Sequence, residues 1–407
     1  MNDRQVDITS PSSESSQAQV LAEALQVLFE GDFEERWEVA KVIPKLGDMA
    51  IQPLLDSLND TDLDLEDRWF VARILGDFPR IEVVTALIEL VKQNGEPELV
   101  EMATSAIAKM GVLAISPLAD LLNPPVGEME VPAHRTFAVT ALAQIRHSQT
   151  IEPLLSAIDD VDVQIRTLAV EALSSFHDVK IPPILTNKLT DVAASVRKAA
   201  VTGLCLRSEL AAELNLVQCL RPLLFDLNLA VCEATALGLA RLQDPAVVEI
   251  LLQVSIDPHT PPTLRAQTIL SLGWIGTKPA IAGLSQMLIT ASSELAIEII
   301  TSISKIEQEQ IYASELLVAY LRSKPEHPAP VKQEIATALG NLGNIATVSD
   351  LVELLRDRDD RVKFYTISAI SKLSPTIPPQ IVELANRSDL SPEVQDGVRM
   401  CLSHWNV

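Results

Sequence analysis

The chain has 407 residues, 47% of them apolar but only 4% aromatic, and a net charge of −23. That acidity argues against nucleic-acid binding, which relies on Lys and Arg meeting phosphates; it serves solubility by itself and permits a protein partner with a basic surface. No apolar run reaches the roughly 18 residues of a membrane span and no basic-then-apolar leader opens the chain, so membrane insertion is not expected and a cytoplasmic location is. The four cysteines are too irregularly spaced for a disulfide framework or a zinc ribbon.

In chain order, residues 1–16 are polar and read as a disordered tail, and residues 17–31 as an amphipathic capping helix. From 32 to 389 one helix pattern recurs about every 33 residues, as in Arg36-Trp-Glu-Val-Ala-Lys-Val-Ile-Pro44, Arg166-Thr-Leu-Ala-Val-Glu-Ala-Leu-Ser174 and Lys332-Gln-Glu-Ile-Ala-Thr-Ala-Leu-Gly340. Its opening residue is an anchor, found at Arg36, Arg68, Val100, Arg135, Arg166, Arg197, Cys232, Arg265, Ala296, Lys332 and Lys363. A second apolar helix follows most copies, clearest in Ala50-Ile-Gln-Pro-Leu-Leu55 and Thr150-Ile-Glu-Pro-Leu-Leu155. The period predicts an all-α, right-handed solenoid of about eleven two-helix repeats, with residues 390–407 as a closing half-repeat.

Local signals agree with that register. Asp162, Ser195 and Asp359 read as helix caps, Gly47, Gly76, Gly276 and Gly343 as left-handed helix ends, and Pro53, Pro117, Pro153, Pro183 and Pro222 as first-turn residues of second helices. The basic anchors read as a ladder against acids of the turn just before them, such as Asp162 before Arg166.

Departures from the repeat mark the candidate site. Trp37 and Trp69 take the place after the anchor that is polar in Thr136, Thr167 or Gln333. They read either as a patch covered by the helix of Gln17 to Phe29 or as an anchor for a partner, a role that favours Trp. On the second helices Asp56, Glu89 and Asp120, with Glu152 nearby, read either as an ordinary solvated helix face or as a negative face that steers a basic surface. Arg221 and Phe225 depart from that face near the middle of the array. Cys205, Cys219 and Cys401 occupy slots held elsewhere by Gly or Ala and read as packing residues. Cys232 instead replaces an Arg at a helix start, where a thiol pKa is lowered, and is the candidate reactive or metal-binding thiol.

No catalytic constellation emerges. The six histidines are scattered, and there is no HExxH, phosphate loop or nucleophile elbow. The acidic turn of Asp60, Asp62, Asp64, Glu66 and Asp67 lacks the central Gly and closing Glu of an EF-hand, so no calcium site is expected there.

The repeat signature (basic residue, Ala-Val-x-Ala-Leu-Gly, then Ala-Ile-x-Pro-Leu-Leu) resembles HEAT repeats, in the subtype found in phycobilin lyases of the E/F type and their relatives. Its length and single array are similar to those of the cyanobacterial IscA-interacting HEAT-repeat family. That resemblance implies a non-enzymatic scaffold holding a partner protein, an iron–sulfur assembly factor, with a cluster bound by thiolates. The lyase resemblance implies the alternative, an enzyme or chaperone with a bilin in its groove. The residues themselves call for no cofactor.

Overall fold

Helix starts follow from local chemistry. We describe a computed structural model over residues 14–60, 63–124, 131–324, 326–374, 376–387 and 392–405, with the side chains of 14–16 and 392–393 set aside. The expected tail of residues 1–16 lies almost wholly outside those bounds. Asp32 opens a helix with a capping box, its carboxylate accepting from the Glu35 amide while Glu35 reaches back to the Asp32 amide. Asp64, Asp162, Asn228, Ser292 and Asp359 cap later helices through one side-chain acceptor each.

The helices form one leading element and then alternating first and second helices. In the N-terminal part they are α1 (Glu14–Glu30), α2 (Phe33–Val42), α3 (Ile51–Leu58), α4 (Leu65–Leu75), α5 (Ile81–Gln93), α6 (Pro97–Lys109), α7 (Ile115–Leu122), α8 (Pro132–Ile145), α9 (Ile151–Ser156), α10 (Val163–Leu173) and α11 (Ile181–Lys188). Then come α12 (Ala194–Cys205), α13 (Leu216–Leu220), α14 (Leu229–Ala240), α15 (Ala246–Ile256), α16 (Pro262–Ile275), α17 (Lys278–Leu288), α18 (Ser293–Ile303) and α19 (Gln310–Ser323). The last are α20 (Ala329–Leu342), α21 (Val348–Leu354), α22 (Asp360–Leu373), α23 (Pro379–Ala385) and α24 (Pro392–His404). Even-numbered elements from α2 to α22 carry the anchors, so the eleven expected helix pairs are present. The chain divides into two compact units, up to Leu185 and from Thr186 onward.

Within each unit, first helices pack on first helices and second on second, making two layers. In the first unit α4 packs on α6 and α3 on α5; in the second α14 packs on α16 and α15 on α17. The apolar stripe of each helix is buried between the layers, as with Leu54, Leu87 and Leu118 in the first unit and Leu251, Leu284 and Leu317 in the second. The fold class is an α-solenoid, and no strand occurs among the described residues.

Small residues set the spacing of the first layer. A Cβ added at Gly76 would lie 2.8 Å from Ala106 Cβ, and one at Gly340 would lie 2.9 Å from Ala369 Cα. In both cases the eighth residue after one anchor meets the sixth after the next. Gly76 therefore is glycine for close approach and not for a left-handed turn: its φ is −58°. Gly47, Gly276 and Gly343 do adopt positive φ, as expected. Ser195 is not a cap, because α12 already starts at Ala194, and Asp191 instead holds the turn by accepting from the Ala193 amide. The prolines at 53, 117, 153 and 183 are each the third residue of a second helix, where their missing N–H costs little.

Candidate protein-interaction site

Aromatic side chains gather at the start of the first unit. The Trp37 and Trp69 rings stack with centroids 6.3 Å apart, and Phe33 also stacks with Trp37 at 6.1 Å. Phe70, fully buried, meets Trp69 edge-on at 5.2 Å, so the ladder is footed in the core. The Arg73 guanidinium lies 4.1 Å from the centroid of the Trp37 ring, a cation–π contact. Helix α1 packs against α2 and buries Leu21, Ala24 and Leu28. The two indoles nonetheless stay half-buried, and Phe33 is 61% exposed. The two tryptophans were visible in the sequence; Phe33 and Arg73 became part of the feature only through their geometry.

The acids of the second helices are solvent-facing. Glu89 and Asp120 line one cleft of about 330 Å³ with Lys92 and His134. Asp56 lies outside that cleft, accepting from Gln52 Nε2 at 2.8 Å. Glu89 is paired with Lys92 at 2.7 Å and Glu152 with Lys180 at 2.7 Å. The hydrogen bond from Lys180 to Glu152 and its negative charge raise the lysine pKa. Two of the four acids thus have local counter-ions, which dilutes the negative face expected from their spacing. Arg221 and Phe225 bracket a short turn of helix in the second unit, both exposed, and Phe225 does not line the clefts described here.

Cys232 is where the expectation fails. It is 3% exposed, its thiol donates to the Asp226 carbonyl at 3.2 Å, and burial pushes its pKa up rather than down. The anchor position is covered by neighbouring turns, as Arg135, Arg166 and Lys363 also show by their burial. Desolvation therefore overrides the pull of the helix start. Cys205 and Cys401 are buried too, with thiols pushed up to about 12 by desolvation. Among the described residues no cluster of three or more His, Cys, Asp or Glu is arranged to hold a metal ion. Cys232 is accordingly not retained as a reactive or metal-binding thiol.

The anchors also reach further than expected. Arg135 pairs with Asp160 at 3.0 Å, Arg197 with Asp226 at 2.7 Å and Lys332 with Asp357 at 2.7 Å. Each of these Asp residues sits six positions before the next anchor, so the pair ties one repeat to its successor. Arg36 reaches Asp67 in the following repeat at 2.9 Å. Backward, Arg197 and Arg166 donate to carbonyls of their own preceding turn, Asp191 and Asp160 respectively. Asp162 serves as the cap that its position suggested, through the Gln164 amide.

In the second unit one tryptophan, unmarked by the sequence pattern, is 59% exposed: Trp274 on α16, with the Arg241 guanidinium 5.6 Å from its ring. Phe364 and Tyr365 on α22 form a further exposed aromatic pair.

Residues 128–205 match the family model for HEAT repeats. No curated protein matches the chain in sequence. Among solved structures, Kap95p bound to RanGDP is 14% identical with a TM-score of 0.58 over 96% of this chain and 60% of that one. The present chain therefore spans less than two thirds of Kap95p. Human deoxyhypusine hydroxylase is 19% identical over 64% of this chain and 96% of its own, with a TM-score of 0.29. The CpcE–CpcF complex of phycocyanin lyase from Nostoc is 18% identical over 62% and 94%, with a TM-score of 0.33. At these identities the likeness speaks to fold alone, and the last two scores carry no argument. The HEAT-repeat match thus covers one segment of the chain, and helix pairs of the same kind recur on either side of it.

Proposed function

We propose that the protein is a non-enzymatic scaffold that holds a partner protein, anchored on the Phe33–Trp37–Trp69 ladder of the first unit. The ladder is the observation that carries this reading. Three stacked aromatics left half-exposed or exposed, with a cation on one face, are the type of side chain that dominates binding energy at protein interfaces. Glu89 and Asp120, sharing a cleft, supply the charge that orients a basic partner surface, and such charges act more on encounter rate than on affinity.

The test compares tagged wild-type protein with Trp37→Ala, Trp69→Ala and a Glu89→Lys/Asp120→Lys pair. Partners captured from native lysate are identified and the interaction is then remeasured with purified components. Loss of about 2 kcal/mol or more of binding on either Trp substitution is expected, with the charge pair slowing association and flattening its salt dependence. A partner held equally well by all variants would remove this surface from the reading. An iron–sulfur assembly protein, implied by the sequence resemblance, is the first purified partner to try. The bilin alternative is tested by mixing the chain with free bilin; an unchanged absorption spectrum counts against it.

A further inference from the structure

The outward positions of the first helices recur five and nine residues after each anchor. The fifth position is polar in nine of the eleven repeats, but it is Leu237 and Leu270 in two successive ones. The ninth is Arg241, Trp274 and Lys305 in three successive repeats. Leu237 on α14, Leu270 and Trp274 on α16, and Arg241 and Lys305 just past the ends of α14 and α18 line one cleft of about 350 Å³. Leu237 is 38% and Leu270 44% exposed, so the apolar groups are presented to solvent and not absorbed into the core.

Two further observations point to an occupant. A neighbouring cleft of about 280 Å³ shares Leu237 and Arg241 and adds Lys198 and Gln267, so the concave surface continues across three first helices. Ser271 Oγ in the first cleft and Gln267 Nε2 in the second are buried with no hydrogen-bond partner in the protein. Buried polar groups left unsatisfied are uncommon, and these two lie beneath the cleft surface with no area open to a ligand. The charge is equally unusual. Lys198, Arg241 and Lys305 line the two clefts against Glu233 in a chain whose net charge is −23.

We propose that this surface docks an acidic peptide segment of a partner protein. A bulky apolar side chain of that segment lies on Trp274 between Leu237 and Leu270, and its carboxylates meet Arg241 and Lys305. Long-range repulsion from the acidic chain is damped beyond about 10 Å at 0.1 M salt, whereas contacts inside the cleft are not. The proposal uses residues separate from the Phe33–Trp37–Trp69 ladder, and either can fail without the other.

The probe is a fluorescein-labelled synthetic 12-residue peptide of Glu and Asp interrupted by one Phe and one Leu, titrated into the full chain and read by anisotropy. A control peptide keeps Phe and Leu but carries Lys in place of the acids. The acidic peptide is expected to bind and the basic one not. Trp274→Ala, and separately Arg241→Glu with Lys305→Glu, are expected to weaken binding by about tenfold or more; Trp37→Ala is expected to leave it unchanged. Circular dichroism and urea melts establish that each variant is folded, and Arg241→Lys with Lys305→Arg should retain most of the affinity. Equal binding of both peptides, or unchanged binding by the folded Trp274→Ala and charge-reversal variants, would overturn the proposal. So would a concentration-dependent dimer in sedimentation velocity that Trp274→Ala abolishes, since the occupant would then be a second copy of the chain.

Discussion

The guanidinium of Arg197 on α12 grips the carboxylate of Asp226 in the next repeat through two hydrogen bonds, Nε to Oδ2 and Nη2 to Oδ1, both at 2.7 Å. The same guanidinium also donates to the Asp191 carbonyl of its own turn. One side chain thus closes a turn and couples two repeats, the nearest-neighbour interface on which stability of a repeat array depends. The Asp226 side chain is only 9% exposed, so the pair lies between an exposed ion pair and a buried one. Asp226→Asn is expected to cost about 1–3 kcal/mol, because it leaves a mostly covered cation half-paired. Urea unfolding at neutral pH measures it, and a cost below the error of the fit would contradict the inter-repeat role.

The same pair predicts an acid sensitivity. The Arg197 hydrogen bond holds the Asp226 carboxyl below its usual range. At Asp357 burial pushes upward most strongly of any one cause, but the Lys332 hydrogen bond, the Asp359 amide and the charges of Lys332 and Lys363 together outweigh it, and the net direction is also down. A carboxylate lowered in the folded state contributes stability above its unfolded pKa of about 3.9, and loses it as pH falls through the folded value. The stability gap between wild type and Asp226→Asn should therefore be flat from neutral pH down to about 5 and shrink below about 4. A gap that stays constant down to pH 2 would show that the carboxylate charge is not what stabilises the pair.

Cys232 stands where other repeats have Arg, and it retains half of the anchor's work. Its thiol donates to the carbonyl six positions back, Asp226, just as Arg166 donates to Asp160 and Arg197 to Asp191. A thiol is too short to reach an acid in the following repeat. Cys232→Ser, which keeps a donor, is expected to be tolerated better than Cys232→Ala, with a difference of about 1 kcal/mol. In native protein Cys232, Cys205 and Cys401 should react with a thiol reagent only at the rate of local opening. Prompt alkylation of Cys232, located by mass spectrometry, would refute its burial.

These residues show how far the sequence could be read. Periodicity reports which face of a helix is apolar, and it placed the eleven anchors and the helix pairs. It does not report what the next repeat lays over that helix. The anchor therefore looked like an exposed helix start, although Arg135 and Lys363 are buried by the turns beside them. Asp160, Asp226 and Asp357 recur at a fixed offset, but an acid before a helix reads first as a cap. Trp274 carries no sequence signal for a related reason. It sits two residues before the helix-ending Gly276, and Leu270 looks like an ordinary member of an apolar run. Only lining up the fifth and ninth positions across repeats separates Leu237 and Leu270 from their polar equivalents.

Close approach of first helices gives the last prediction. Gly238 on α14 faces Cys205 on α12, and a Cβ at Gly238 would collide with the Cys205 thiol and crowd its Cβ at 3.1 Å. This is the same packing that places Gly340 against Ala369, with the large and small partners exchanged. Gly238→Ala gains helix propensity of about 1 kcal/mol but overpacks a buried contact, which typically costs about 1–3 kcal/mol. The net effect expected is destabilisation. Cys205→Gly alone opens a void and weakens helix α12, so it too should destabilise. Combined, the two changes swap which helix carries the side chain, and the double variant should recover at least half of the summed loss. A double-mutant cycle by urea unfolding reads this coupling directly. Strict additivity would mean that the two helices relax apart on substitution, so that the fit of residue 205 against residue 238 does not fix the spacing between repeats.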